Sequence, residues 1–159
     1  MEYDISLDQQ ELRRLVGRET IGVLTSINTD GTPHAAPIWP ILIGDELYVE
    51  TETVSRKAKN LRECPAFSFV IGLGTWGPSA VLSGRATEVE DEGVRRKVRE
   101  LTAIRFYGAT SHPSFRTVER QYVKFGGATV FHLAVDRVAS WDYKKLPAEE
   151  WILPTKPPD

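Results

Sequence analysis

Ser55-Arg56-Lys57, with Thr51 and Thr53 just upstream, is the cluster in this sequence best suited to hold an anion. The residues that follow, Ala58 to Glu63, are helix formers nearly free of β-branching, and Pro65 stops them, so the pattern predicts a short helix opening at Ser55. Three sources of positive potential then coincide: the unpaired N–H groups of the first turn, the helix dipole, and two cationic side chains. A phosphate suits such a nest, because Arg reads its oxygens bidentately while Lys supplies a point charge. Ser55 and Thr51 add hydroxyls. The alternative reading is a solvated basic helix, and Lys59 and Arg62 are expected to belong to that solvent-facing class.

Other candidates are weaker. Among four tryptophans, Trp76 stands in the Gly/Pro loop Gly74-Thr75-Trp76-Gly77-Pro78 and is the one most suited to line a ring-binding pocket, while Trp141 and Trp151 read as packing or interface residues. His34, His112 and His132 have no metal-ligand spacing, and no cysteine cluster supports them. His132 reads as structural, and His112 sits in a loop that can reach a pocket. Gly72-x-Gly74-x-x-Gly77 matches the bare spacing of a dinucleotide fingerprint, but a Trp-Gly-Pro follows where a helix is required. There is no nucleophile elbow and no Walker loop. Glu88 and Glu90 read with Asp91 and Glu92 as helix capping and a solvated face rather than a catalytic carboxylate pair. The expectation is binding and positioning with no indispensable general base.

The elements that must position these residues are legible in outline. Leu7, Leu12, Leu15 and Val16 share a helical face behind a capping-box pattern at Ser6 and Gln9, and Gly17 is expected to end that helix. Ile21–Ile27 is β-branched, Asn28-Thr29-Asp30-Gly31 is turn chemistry, and His34–Ile43 reads as one extended run. Gly44-Asp45 suits a type II′ hairpin returning as Glu46–Thr51. Strands are expected again over Ala66–Leu73 and Ala80–Val89, the latter interrupted by Gly84. A helix capped by Asp91 and a second around Pro113–Tyr122 follow, and Thr129–Val138 closes the order. Tight turns between neighbouring strands imply an antiparallel sheet able to close into a barrel.

The bulk numbers agree with one domain. The chain has 159 residues, 41% apolar and 26% charged, with a formal net charge of -2 that argues against a nucleic-acid partner. Cys64 is the single cysteine, so no intrachain disulfide forms; it reads as a small buried residue at a helix end in a reducing compartment. No apolar run reaches membrane-spanning length, and a cytoplasmic location is the plain expectation. Residues 1–146 read as one domain and 147–159 as an extended tail.

In order, Ile21–Ile27, Asp30-Gly31-Thr32-Pro33-His34, Pro37-Ile38-Trp39, Leu47-Tyr48-Val49-Glu50-Thr51 and Ser55-Arg56-Lys57-Ala58-Lys59-Asn60-Leu61-Arg62-Glu63-Cys64-Pro65 resemble the pyridoxamine 5′-phosphate oxidase-like superfamily. The nearest look is to its actinobacterial flavin/deazaflavin oxidoreductases, whose end Ala139–Leu146 also resembles. The likeness spans roughly residues 7 to 146. It implies a mainly β (α+β) fold, an antiparallel six-stranded split β-barrel with flanking helices, assembled as a homodimer with cofactors in the grooves between subunits. It implies FMN or an 8-hydroxy-5-deazaflavin coenzyme as cofactor. Lys57 becomes the phosphate lysine, helped by Arg56, Ser55 and Thr51, and Pro37-Ile38-Trp39 lies along the isoalloxazine or its side chain. Trp76, Gly77 and Ser79 approach the ring from the second subunit. The expected activity is hydride transfer to a small organic substrate; the alternative is a non-catalytic flavin or haem binder. The basic residues that hold substrate phosphate near the C-terminus of true pyridoxamine phosphate oxidases have no counterpart here, so vitamin B6 oxidation is not expected.

Overall fold

The structure, a computed structural model, describes residues 4–19, 21–72, 74 and 76–147. Its elements run α1 (Gln9–Arg18), β1 (Gly22–Ile27), β2 (Pro33–Ile38), β3 (Pro40–Ile43), β4 (Glu46–Glu52), α2 (Arg56–Glu63), β5 (Ala66–Ile71), β6 (Ser79–Glu88), α3 (Glu92–Tyr107), α4 (Pro113–Lys124) and β7 (Ala128–Trp141). The seven strands form one antiparallel sheet in the order β2-β1-β5-β6-β7-β4-β3. Seven replace the expected six because the extended run from His34 breaks at Trp39. Up to Ile38 the chain pairs with β1, and from Pro40 it pairs with β4. Those pairings lie at opposite edges of the sheet, yet only Trp39 separates them. The sheet must therefore curl until its edges meet, which makes it a split β-barrel.

Alternation along the strands fills the interior. Phe67, Phe69 and Ile71 of β5, Leu82 of β6, Val49 of β4 and Phe131 and Leu133 of β7 are buried together with Leu15 and Val16 of α1 and Ala58 and Leu61 of α2. A second cluster, Ile41, Val98 and Val130, seats α3 on the outside of β3, β4 and β7. Two glycines carry the curvature. Gly44 takes φ 64° while Asp45 does not turn positive, the geometry of a II′ hairpin. Gly84 faces a bulge where Ser83 pairs Arg137 and Gly84 pairs Val135, leaving Asp136 extra; a Cβ on Gly84 would collide with the backbone of Ala134.

Helix ends differ in detail from expectation. The capping box of α1 is Asp8 with Glu11, two residues later than Ser6 and Gln9, and the helix continues through Gly17 to Arg18. Ser6 instead donates its backbone N–H to Asp4. Asp91 caps α3 as expected, and His112 caps α4 through Nδ1, which accepts the Ser114 N–H at 3.2 Å. Cys64 is the C-cap of α2 and only half-buried. Trp151 and the tail beyond Pro147 lie outside the described residues.

Candidate functional site

The short helix α2 is fixed from three sides. Ala58 and Leu61 sink into the core, and the buried Asn60 side chain donates to Ser26 Oγ at 3.1 Å and to Asn28 Oδ1 at 3.0 Å, locking the helix onto β1. Arg62 closes the other end: its guanidinium grips Glu88 at 2.6 and 2.7 Å and donates to the Thr53 carbonyl at 2.8 Å. Glu88 also accepts a 2.5 Å hydrogen bond from Thr129. This corrects the expectation for both residues. Arg62 is a structural clamp rather than a free solvent cation, and its hydrogen bonds hold the Glu88 carboxyl down at about 2.

So held, the N-terminus of α2 faces a groove of about 280 Å³ lined by Ile21, Pro37, Ile38, Trp39, Glu50, Thr51, Glu52, Lys57 and Tyr122. Five of the ten residues singled out in the sequence, Lys57, Thr51, Pro37, Ile38 and Trp39, thus share one cleft. Ser55 is next to it, its Oγ 3.2 Å from Thr51 Oγ1, while it accepts the Ala58 N–H as N-cap. Lys57 is half-buried, and its ammonium has no hydrogen bond or ion pair among the described residues. Arg56 is exposed, does not line the groove, and lies close enough to Asp30 to help lower that carboxyl. Trp76, Gly77 and Ser79 do not line it either: Trp76 meets Tyr143 edge-on at 6.0 Å, and the buried Ser79 donates to the Gly72 carbonyl.

Trp39 is preorganised. Its ring stacks on Phe106 at 4.4 Å and meets Tyr107 edge-on at 5.7 Å, so the C-terminal turn of α3 holds the indole against one wall. Arg105 ties the same turn to the barrel by donating to the Pro40 carbonyl at 2.8 Å and to the carbonyls of Val16 and Glu19.

Besides Ile21, three polar lining residues were missed by the sequence reading. Glu50 is 4% exposed and receives two hydrogen bonds from Arg99, at 2.9 and 2.7 Å. Burial raises its carboxyl, while the Arg99 charge opposes the shift. Glu52 accepts from Thr51 Oγ1 at 3.1 Å. The Tyr122 hydroxyl is pushed up by burial and by the nearby Glu50 and Glu52 carboxylates. Glu50 is one of three glutamates in β4, so no local signal set it apart, and Tyr122 reaches the groove through tertiary packing that no local pattern displays.

The donor set fits a phosphate-bearing ligand at the α2 end: an unpaired ammonium, two hydroxyls, and the Arg56 and Lys57 N–H groups, which have no intrachain acceptor among the described residues. The flat wall of Pro37, Ile38 and Trp39 fits an extended ring or chain. Among the described residues no cluster of His, Cys, Asp and Glu could hold a metal ion, and no helix is long and apolar enough to cross a membrane.

Comparison with known proteins agrees with this architecture. No curated protein matches the sequence. Among solved structures, the chain is similar to the conserved hypothetical protein Rv2991 from Mycobacterium tuberculosis, at 27% identity over 92% of this chain and 93% of that one, with a TM-score of 0.77. It shares its fold with a FAD-binding protein from Mesorhizobium loti (18% identity, 85% and 94% covered, TM-score 0.57). It also shares it with HutZ, the haem storage protein from Vibrio cholerae (13% identity, 84% and 93% covered, TM-score 0.63). The family model for pyridoxamine 5′-phosphate oxidase matches residues 8–142, nearly the whole barrel, and the chain belongs to that family.

Proposed function

We propose that the protein binds a flavin-type cofactor, FMN or an 8-hydroxy-5-deazaflavin coenzyme, and serves as an oxidoreductase acting on a small organic substrate. The observation that carries this reading is Lys57: a half-buried, unpaired ammonium at a helix N-terminus, opening onto the same groove as Thr51 and the Pro37-Ile38-Trp39 wall. When bound, the isoalloxazine or deazaflavin ring supplies hydride chemistry that no side chain offers.

The residues of this chain do the holding. Lys57 neutralises the phosphate, and Thr51 and Ser55 offer hydroxyls beside it, with the α2 dipole adding to the attraction. Ile38 and Trp39 form a dry wall that excludes water from one face of a ring, and Phe106 keeps Trp39 from swinging away. The Glu50–Arg99 pair is nearly neutral in sum, so the charges left in the groove are the Lys57 ammonium, helped by the α2 N-terminus, and the Glu52 carboxylate beside Thr51. Trp76 and Gly77 are assigned to the groove of a partner subunit, while the buried Ser79, which donates to the Gly72 carbonyl, braces their loop. Support for a homodimer comes from the exposed apolar strip of β7, where Val135 is 39% and Val138 48% exposed beside Leu12 and Leu42.

The alternative, a non-catalytic flavin or haem binder, draws on the shared fold alone. One experiment separates the two. The purified protein is expected to show a flavin or deazaflavin absorption spectrum, to release that cofactor on denaturation as read by mass, and to pass electrons from a nicotinamide or deazaflavin donor to an organic acceptor. Bound cofactor inert to every donor favours the binding reading, and a Soret band with no flavin contradicts the proposal.

A further inference from the structure

A second cleft, of about 810 Å³, lies between α3 and α4, floored by Gly127 and Ala128 at the start of β7. That volume is in the range of small-molecule sites. It exists because α4 stands off the barrel: of its twelve residues only Phe115 is buried, and Val123 is 78% exposed. Phe115 and the partly buried Tyr122 give the cleft an apolar lining, to which the exposed Val123 adds.

The polar lining is arginine-rich. Arg96 and Arg99 come from α3, Arg116 and Arg120 from α4, with the carboxylates Glu100 and Glu119 among them. Arg99 is occupied by Glu50. The other three have no carboxylate partner among the described residues, and the Arg120 side chain reaches only Thr117 Oγ1, at 3.1 Å. Arg116 and Arg120 are like charges four apart on one helix, an arrangement that destabilises a helix unless something else compensates. With Arg99 and Glu50 cancelling, three guanidinium groups face two carboxylates, an excess of one positive charge.

The cleft also communicates with the groove. Tyr122 lines both, and the aromatic chain from Trp39 through Tyr107 to Phe115, with Tyr107 5.6 Å from Phe115, bridges them. We propose that the α3–α4 cleft binds a flat, largely apolar monocarboxylic acid, its ring against Phe115 and Tyr122 and its carboxylate held by Arg116 and Arg120 with Arg96 across the cleft. One negative charge matches the excess, and a fork of guanidinium donors matches a carboxylate. That this acid is the substrate rests on the flavin reading of the groove; that it binds does not.

The test is calorimetric titration of the full-length protein with 2-naphthoate and, as the neutral counterpart, 2-naphthalenemethanol. Naphthoate is expected to bind at one site per chain, and Arg116→Gln with Arg120→Gln to weaken it about tenfold or more while changing the alcohol by less than about twofold. Arg96→Gln, on the other helix, is expected to act in the same direction and keeps the test valid should the double variant misfold. Lys57→Ala and saturating FMN are expected to leave naphthoate binding intact. Equal binding of acid and alcohol, unchanged affinity in the folded arginine variants, or displacement of the acid by FMN overturns the proposal. Dissociation of a dimer by the arginine substitutions would do so too, since the cleft would then be a subunit contact. Loss of FMN binding in wild type with naphthoate binding retained would sink only the groove reading.

Discussion

At the scale of single residues, charge placement separates cations that hold structure from those free to hold a ligand. Arg62, Arg99 and Arg105 are each spent on carboxylates or carbonyls within the fold, whereas Lys57 is not. The Arg62–Glu88 pair has a measurable consequence. The Glu88 carboxyl is lowered from 4.5 to about 2, so its contribution is complete above pH 4.5 and is lost as pH falls toward 2. Both side chains are about one-third exposed, which reduces the contribution to about 1–2 kcal/mol. Glu88→Gln is therefore expected to lower stability at pH 7 and to flatten its fall between pH 4.5 and 2, as read by urea midpoints. A variant as acid-sensitive as wild type contradicts the assignment. The position of Lys57 in the first turn of a helix was legible from sequence because helix-start chemistry is local. The roles of Arg62 and Glu50 were not, because each depends on a partner far along the chain.

At the scale of elements, the sequence displayed nearly every strand and helix, and missed what only pairing decides. His34–Ile43 reads as one strand because its composition is uniformly extended; the break at Trp39 arises where the chain leaves one sheet edge and joins the other. The capping box moved from Ser6 to Asp8 because both positions satisfy the local pattern, and the packing of Leu15 and Val16 selects the register. Gly84 was visible as an interruption, and the structure supplies the reason, a bulge in β7 whose Ala134 carbonyl occupies the space of a side chain. Gly84→Ala is expected to cost about 2–3 kcal/mol, because backbone rather than a flexible side chain must move. A urea midpoint within error of wild type would show that the bulge is not tightly packed.

At the scale of the whole molecule, a curled sheet brings the end of β2, the end of β4 and the start of α2 to one cleft, although they are distant in the sheet order. That convergence is the property of the fold on which the proposed function rests, and it was carried by ordered resemblance rather than by periodicity. The proposed homodimer belongs to this scale, because Trp76 and Gly77 do not line the α2 groove of their own chain. Sedimentation is expected to give twice the 17.9 kDa chain mass, and Val138→Glu on the exposed strip to shift it toward the monomer. The central claim is that the groove beside α2 holds a cofactor phosphate through Lys57. Titration of apo-protein with FMN, followed by quenching of flavin fluorescence, tests it most directly. One FMN per chain is expected, with a loss of about 2–3 kcal/mol of binding free energy, roughly thirty- to a hundredfold in Kd, for folded Lys57→Ala. Equal affinity of the variant and wild type for FMN would contradict it.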